Sequence, residues 1–427
     1  MIRKLLFAVI SLVFLCSCSP YSVESLFAPP RVPEEYAGLN AVLNEARIAG
    51  AEYVYPTAGN YRQAVQLFDL DTDGEDECVV FLRNPAQKPE VQIYLYECTD
   101  GKFWLYSVVD GLSGNIESVT YADVLGRGNY ELVVGWEQTG KKTIAVYEMT
   151  EETFAQHYEM PYQYYTIADL NGDGVGDLNL VDSGTENLGK FSMHSARNGS
   201  LTLEAQVLLS VPVTAIERIG AGQSDAGNAI FVTGATEAGF VTDVIAMQGK
   251  TLKNLAFENP LLCKYPLYFT DLDGDGTIEI PRSEQDPLAL PTALWELTWC
   301  DYSESGALRE KLYTCYSSEQ NWYLSLPLAW KGKIKTEYNN TNGAIAKAKF
   351  YTETYTPLFT FAAISGEKRE ALLAQEGMVR VAESENTVYA VKIEQDQYLG
   401  EVLTPEWLGN AFRRKESTWA TANFIVK

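Results

Sequence analysis

The chain has 427 residues, with 57 acidic side chains against 33 basic ones and a formal net charge of −24. That balance excludes the basic footprint by which proteins hold nucleic acid phosphates. Only two histidines are present, His157 and His194, which narrows the choice of general bases, and the length suffices for a large core and two domains.

Arg3 and Lys4 precede an apolar run over residues 5–15 that is too short for a stable spanning helix and reads as a secretory leader. Ser17, a small residue, stands directly before Cys18, and this junction resembles a bacterial lipobox. The resemblance implies that residues 1–17 are a lipoprotein signal peptide and that Cys18 is diacylated. Cys16 is the alternative site, disfavoured by Phe14 and Leu15 in front of it. Two acyl chains hold a protein at a membrane where one does not. The expected address is therefore the cell envelope, anchored by lipid to the outer face of the cell membrane.

Residues 18–32 are rich in Ser and Pro and read as a flexible tether. Residues 33–52 carry an amphipathic helix, with Leu39, Val42, Leu43 and Ala46 on one face and Gly50 as its stop. Tyr53, Tyr55, Tyr61 and Arg62 follow in a segment too aromatic for a solvated linker. They form either a partner-binding element or packing for the first repeat.

An acidic loop then occurs three times. Asp69, Asp71, Asp73 and Glu77 surround Gly74; Asp169, Asn171, Asp173 and Asp177 surround Gly174; Asp271, Asp273, Asp275 and Glu279 surround Gly276. Oxygen side chains at positions 1, 3, 5 and 9, with Gly at 6, suit a hard cation that wants six to eight oxygens. Two degenerate copies lie between them. Asp123 to Glu131 keeps the first and ninth acids, and the stretch around Gly222 and Asp225 keeps only the loop-then-strand pattern. Starting points near 69, 123, 169, 221 and 271 give a period of about 50 residues, in the range of propeller blades. Within each period short alternating strands fit, as at residues 91–96, 103–108, 143–147 and 241–246.

These loops resemble those of the FG-GAP and VCBS repeat families over residues 60–318. The likeness implies a mainly β fold, a β-propeller of about five or more four-stranded blades, with structural calcium at about three ions. The twelve acids and amides named above would be ligands, and the backbone carbonyls of Glu75, Val175 and Thr277 would fall at position 7. The second and fourth units depart from the pattern, and no metal is expected there. Three calcium ions would offset about six negative charges.

Residues 321–427 lose the acidic loop and read as a separate α+β domain, with helices over 367–375 and from 405 to about 424. Cys78, Cys98, Cys263, Cys300 and Cys315 lack metal-site spacing; Cys300 and Cys315 either pair or sit as small buried hydrophobes. Gly135, Gly140 and Lys141 imitate a phosphate loop, but strand rather than helix follows, so a hairpin is expected. His157 reads as a loop residue and His194 as a strand residue, neither as a base. No catalytic residue is assigned.

The reading is a lipid-anchored extracellular module, stabilised by calcium, that binds a protein or a glycan. Alternatives are a surface carbohydrate-active enzyme with a carboxylate pair in the propeller funnel, or an accessory subunit of an envelope assembly.

Overall fold

The computed structural model describes residues 38–39, 42–44, 50–86, 88–283, 294–341 and 344–414. The leader, Cys16, Cys18, the tether, most of the helix over 33–52 and the segment after 414 lie outside them.

The described chain is mainly β and runs as successive antiparallel meanders. The first sheet contains Val65–Phe68, Glu77–Arg83, Val91–Thr99 and Lys102–Asp110, with the short strand Glu52–Tyr53 added to Glu77–Arg83. The second contains Asn115–Ala122, Glu131–Gln138, Lys141–Met149 and Phe154–Tyr162. The third contains Tyr164–Ala168, Asp177–Ser183, Gly189–Arg197 and Ser200–Leu208. The fourth is built on Ile216–Ser224, Gly227–Thr236, Gly239–Gln248 and Thr251–Asn254, with Leu261–Cys263 beside the third of these. The fifth contains Ile280–Arg282, Trp295–Tyr302, Leu308–Ser317 and Trp322–Leu326.

Alternation along each strand explains how the sheets stack. In Glu77–Arg83, Val79 and Phe81 face the second sheet, while Cys78, Val80 and Leu82 face away from it. In Glu131–Gln138, Leu132, Val134 and Trp136 meet the first sheet and Val133 meets the third. In Gly227–Thr236, Ile230 and Val232 meet the third sheet, and Ala229 and Phe231 the fifth. Strands buried on both faces read as near-continuous apolar runs, and these do. The far face of the first sheet is covered by Leu39, Val42 and Leu43 from the N-terminal helix. Among the described residues, no apolar cluster joins the first sheet to the fifth, so no closed propeller is seen.

The fifth sheet and the C-terminal segment share one core. Trp322–Leu326, which the sequence places at the start of a separate domain, pairs with Leu308–Ser317, and Phe412–Arg414 returns to pair with it. Cys315, Trp322 and Leu324 pack against Phe350, Phe359 and Phe361 of a sixth sheet. That sheet runs in the order Ile334–Thr341, Ile345–Thr352, Pro357–Ser365, Thr387–Ile393, Val379–Ser384. Helix Arg369–Glu376 lays Leu372 and Leu373 on its outer face beside Ala362, Ile364 and Ala390. Helix Pro405–Ala411 starts where Thr404 accepts a bond from the Trp407 N–H at 3.0 Å, with Pro at the first position. It ends well before residue 424 because Phe412 is drawn into the strand pairing.

Tyr162, Tyr165, Trp299 and Trp322 are buried, and Trp295 stacks on Tyr265 at 3.8 Å. The five cysteines among the described residues are free and buried, Cys300 and Cys315 included. His157 lies on Phe154–Tyr162 rather than in a loop, and Thr139 and Gly140 turn the expected hairpin. Phe81 is fully buried between two sheets, so Phe81→Ala should lower the unfolding free energy by about 3–5 kcal/mol, measured by urea denaturation.

Candidate metal centre

Four loops share one backbone frame, three with the full acidic pattern and one degenerate. Each lies ahead of an inner strand and ends on a carboxylate at position 9 that is almost fully buried: Glu77, Glu131, Asp177 and Glu279. That carboxylate accepts the N–H of position 2: Leu70 at 2.7 Å, Val124 at 2.7 Å, Leu170 at 2.8 Å and Leu272 at 2.8 Å. The position 1 acid accepts the N–H of the Gly at position 6, at 3.1 Å for Asp69, 2.9 Å for Asp123, 2.8 Å for Asp169 and 3.0 Å for Asp271. In the three full loops position 3 accepts from position 5, and position 5 from position 7. The Glu75, Val175 and Thr277 amides donate to Asp73, Asp173 and Asp275 at 2.8, 2.9 and 2.8 Å. Positions 4 and 6 have φ of +64 and +95° in the first loop, and the same left-handed pair recurs in the others. Gly fills both positions everywhere except Thr72.

The sequence signal therefore marks one geometry, but the acids are neutralised differently in each copy. Loop 69–77 is uncompensated. Asp69, Asp71 and Glu77 bring carboxylate oxygens within 4.8 Å of one another, and Asp71, Asp73 and Glu97 form an overlapping group. Asp69 Oδ1 and Glu77 Oε1 are buried without a hydrogen-bond partner. Among the described residues none of these acids is in an ion pair. Burial pushes the Glu77 carboxyl up to about 8 and raises Asp71 and Glu97, with Asp73 adding repulsion to each. Buried carboxylate oxygens lacking any donor fit a divalent cation, which would supply the missing charge.

Loop 169–177 closes on itself. Asp177 accepts Leu170 and Asn171 amides on one oxygen, and the Ser195 hydroxyl and the Asn171 side-chain amide on the other. Burial raises its pKa, and the Ser195 bond works against that rise.

Loop 271–279 already faces a cation. Lys311 Nζ lies 2.7 Å from Glu279 Oε1, 3.1 Å from Asp275 Oδ2 and 2.6 Å from Thr277 Oγ1. Burial disfavours the ammonium, but its bonds to Glu279 and Asp275 outweigh that and raise its pKa. Asp275 is held down at about 2, first by Thr277 and then by Lys311. Asp271, Asp273 and Glu279 remain close enough to share an ion. In the degenerate loop Arg127 takes position 5 and pairs with Glu148 at 2.6 Å, which His157 also reaches at 2.8 Å.

Sequence reasoning missed the third-strand partners. Cys78 opposes Tyr96, Leu132 opposes Tyr147, Leu178 opposes His194 and Ile280 opposes Cys300. One step on, each position 9 acid meets a polar residue: Glu97, Glu148, Ser195 or Asp301. Only the strand register reveals these neighbours, although a lone polar residue ending an apolar run is its trace in the sequence.

Tyr53, Tyr55, Tyr61 and Arg62 do not form one surface. Tyr53 packs on the helix-covered face of the first sheet. Tyr61 stands edge-on to Tyr121 at 4.9 Å and Phe68 at 6.3 Å. Tyr55 is 60% exposed, and Arg62 Nε donates to the Gly59 carbonyl at 3.0 Å. A cavity of ≈290 Å³ on the fifth sheet is lined by Arg282, Glu296, Tyr313 and Lys331 among others. Tyr313 donates to Glu296 at 2.8 Å, and burial raises the Glu296 pKa. Glu296 is the one carboxylate among its described lining residues, where glycoside hydrolysis uses two.

No family model matches the chain, and no curated protein does. Among solved structures, rhamnogalacturonan lyase YesW is similar at 11% identity and a TM-score of 0.32, over 72% of this chain and 76% of that one. The rhamnogalacturonan lyase PL11 of Bacillus licheniformis gives 10%, 0.31, 72% and 76%. A protein from Lactobacillus plantarum gives 10%, 0.29, 70% and 84%. Scores this low carry no argument about fold or function.

Two outcomes follow from the loop geometry. Thr72 holds a β-branched side chain at φ +64°, a conformation that costs an L-residue roughly 1–2 kcal/mol. Thr72→Gly should therefore leave stability unchanged or raise it by up to about 1 kcal/mol, after the extra unfolded-state entropy of Gly; thermal melts would show it. The second concerns pH. Glu77 and Glu131 bind protons more tightly folded than unfolded, with pKa raised from 4.5 to about 8 and about 7. Ion-free protein should thus lose stability as pH climbs across that interval. Added calcium should flatten the Glu77 part of the slope by taking the proton's place, as read from melting temperatures in chelator and in calcium.

Proposed function

We propose that the chain is a lipid-anchored, extracytoplasmic binding module built from repeats of the FG-GAP or VCBS kind, with calcium as a structural ion. The observation that supports this reading is loop 69–77, where buried carboxylate oxygens gather without a donor or counter-charge. Asp69, Asp71, Asp73, Glu77 and Glu97 would hold the ion, which would tie the loop to the second and third strands of the first sheet. Loop 169–177 would take a second ion less readily, because Asn171 and Ser195 already satisfy Asp177. Extracellular calcium modules commonly bind at about 10⁻⁴ to 10⁻³ M, so calcium outside the cell would fill them. The partner would be a protein or a glycan, taken up on the loop-bearing faces or the C-terminal segment, with Tyr55 and Arg62 as candidate contacts.

Calorimetric titration of the mature chain should detect calcium, and Asp73→Ala should remove one site. Calcium at ten times its dissociation constant should add about 1.4 kcal/mol of stability; an unchanged melting temperature in excess chelator would sink the structural role. For the anchor, Cys18→Ser should abolish fatty-acid labelling and release the protein from bacterial membranes, whereas Cys16→Ser should do neither. Release of reducing sugar from glycans by the purified protein would replace the binding reading with the enzymatic one.

A further inference from the structure

We infer that Lys311 is the resident cation of loop 271–279, so that this loop is closed by the chain itself and takes no calcium. The inference rests on the calcium reading of the shared motif, and it removes one of the three ions that the motif alone implies.

Loop 271–279 matches loop 69–77 bond for bond at positions 1, 2, 3, 5, 6, 7 and 9. What differs is the occupant. In the first loop Glu77 Oε1 is buried and unpartnered, whereas in this loop the equivalent Glu279 Oε1 receives the Lys311 ammonium at 2.7 Å. The same nitrogen reaches Asp275 Oδ2 and Thr277 Oγ1, so its three protons go to positions 5, 7 and 9. A calcium ion held by Asp271, Asp273 and Glu279 would compete with the ammonium for Glu279, and it would find Asp275 already turned to the lysine.

The lysine is built in. Its side chain is 18% exposed and Glu279 is fully buried. It comes from Leu308–Ser317, where a register shift between Trp299 and Cys300 makes Lys311 the extra residue between Glu310 and Leu312. Beside it Arg309 pairs with Asp225, and the Asp225 N–H donates to buried Asp301 at 2.7 Å. In the degenerate loop Arg127 replaces the position 5 acid and pairs with Glu148 on the facing strand, while Glu131 Oε1 stays without a hydrogen-bond partner. Two of the four loops thus carry their own positive charge, supplied from different places in the chain.

The test is calcium stoichiometry of the full mature chain by equilibrium dialysis, with terbium luminescence as a second readout. Lys311→Met should gain one ion relative to the unaltered protein, and its melting temperature should fall in chelator and recover in calcium. In the otherwise unaltered chain, Asp271→Asn combined with Asp273→Asn should leave the ion count unchanged; this second variant decides the matter if Lys311→Met does not fold. Loss of one ion from the double variant overturns the inference, as does a folded Lys311→Met that gains none. Should the unaltered chain take up no calcium while Lys311→Met takes up one, the calcium reading of loop 69–77 fails and the role of Lys311 stands.

Discussion

A carboxylate buried at the end of each acidic loop is the constraint around which the rest is arranged. Glu77, Glu131, Asp177 and Glu279 lie inside the stack of sheets, each fixed by the amide two residues into its loop. One backbone amide does not neutralise a buried anion, so each acid requires a proton, a hydroxyl, a basic side chain or a metal ion. The four copies divide among these options. Repetition preserves the backbone frame, while the residue opposite on the third strand, or a lysine from farther off, sets the charge.

The same inner strands that end at these acids also join neighbouring sheets. Alternation sends one set of side chains forward and the other back, so each strand contributes to two cores at once. A Cβ-free position is used where the link from the first sheet to the second crosses an inner strand: a Cβ on Gly111 would lie 2.5 Å from the Trp136 ring. A loop held open by unbalanced charge would therefore disturb two interfaces together. Neutralisation of the loops and packing of the sheets are in this way one problem.

Much of this was legible in the sequence. Oxygen spacing, the Gly at position 6 and the alternating runs located the loops and most strands, because those features are local. What escaped depends on pairing between distant segments. Glu97 is an ordinary strand residue until the register places it by Asp71 and Asp73, and Lys311 is an ordinary surface lysine until a register shift places it at Glu279. The acidic loop stops before residue 321, while Trp322–Leu326 pairs with Leu308–Ser317 of the fifth sheet. Helical periodicity after Pro405 likewise gave way to pairing at Phe412–Arg414.

The terminal faces carry a further consequence. The first sheet is covered by Leu39 and Leu43, and the sixth by Leu372 and Leu373, rather than by each other. Each helix shields apolar side chains of a sheet face, Val80 and Leu82 in the first and Ile364 and Ala390 in the sixth. Loosening either helix would open a contiguous apolar face to water or to another chain.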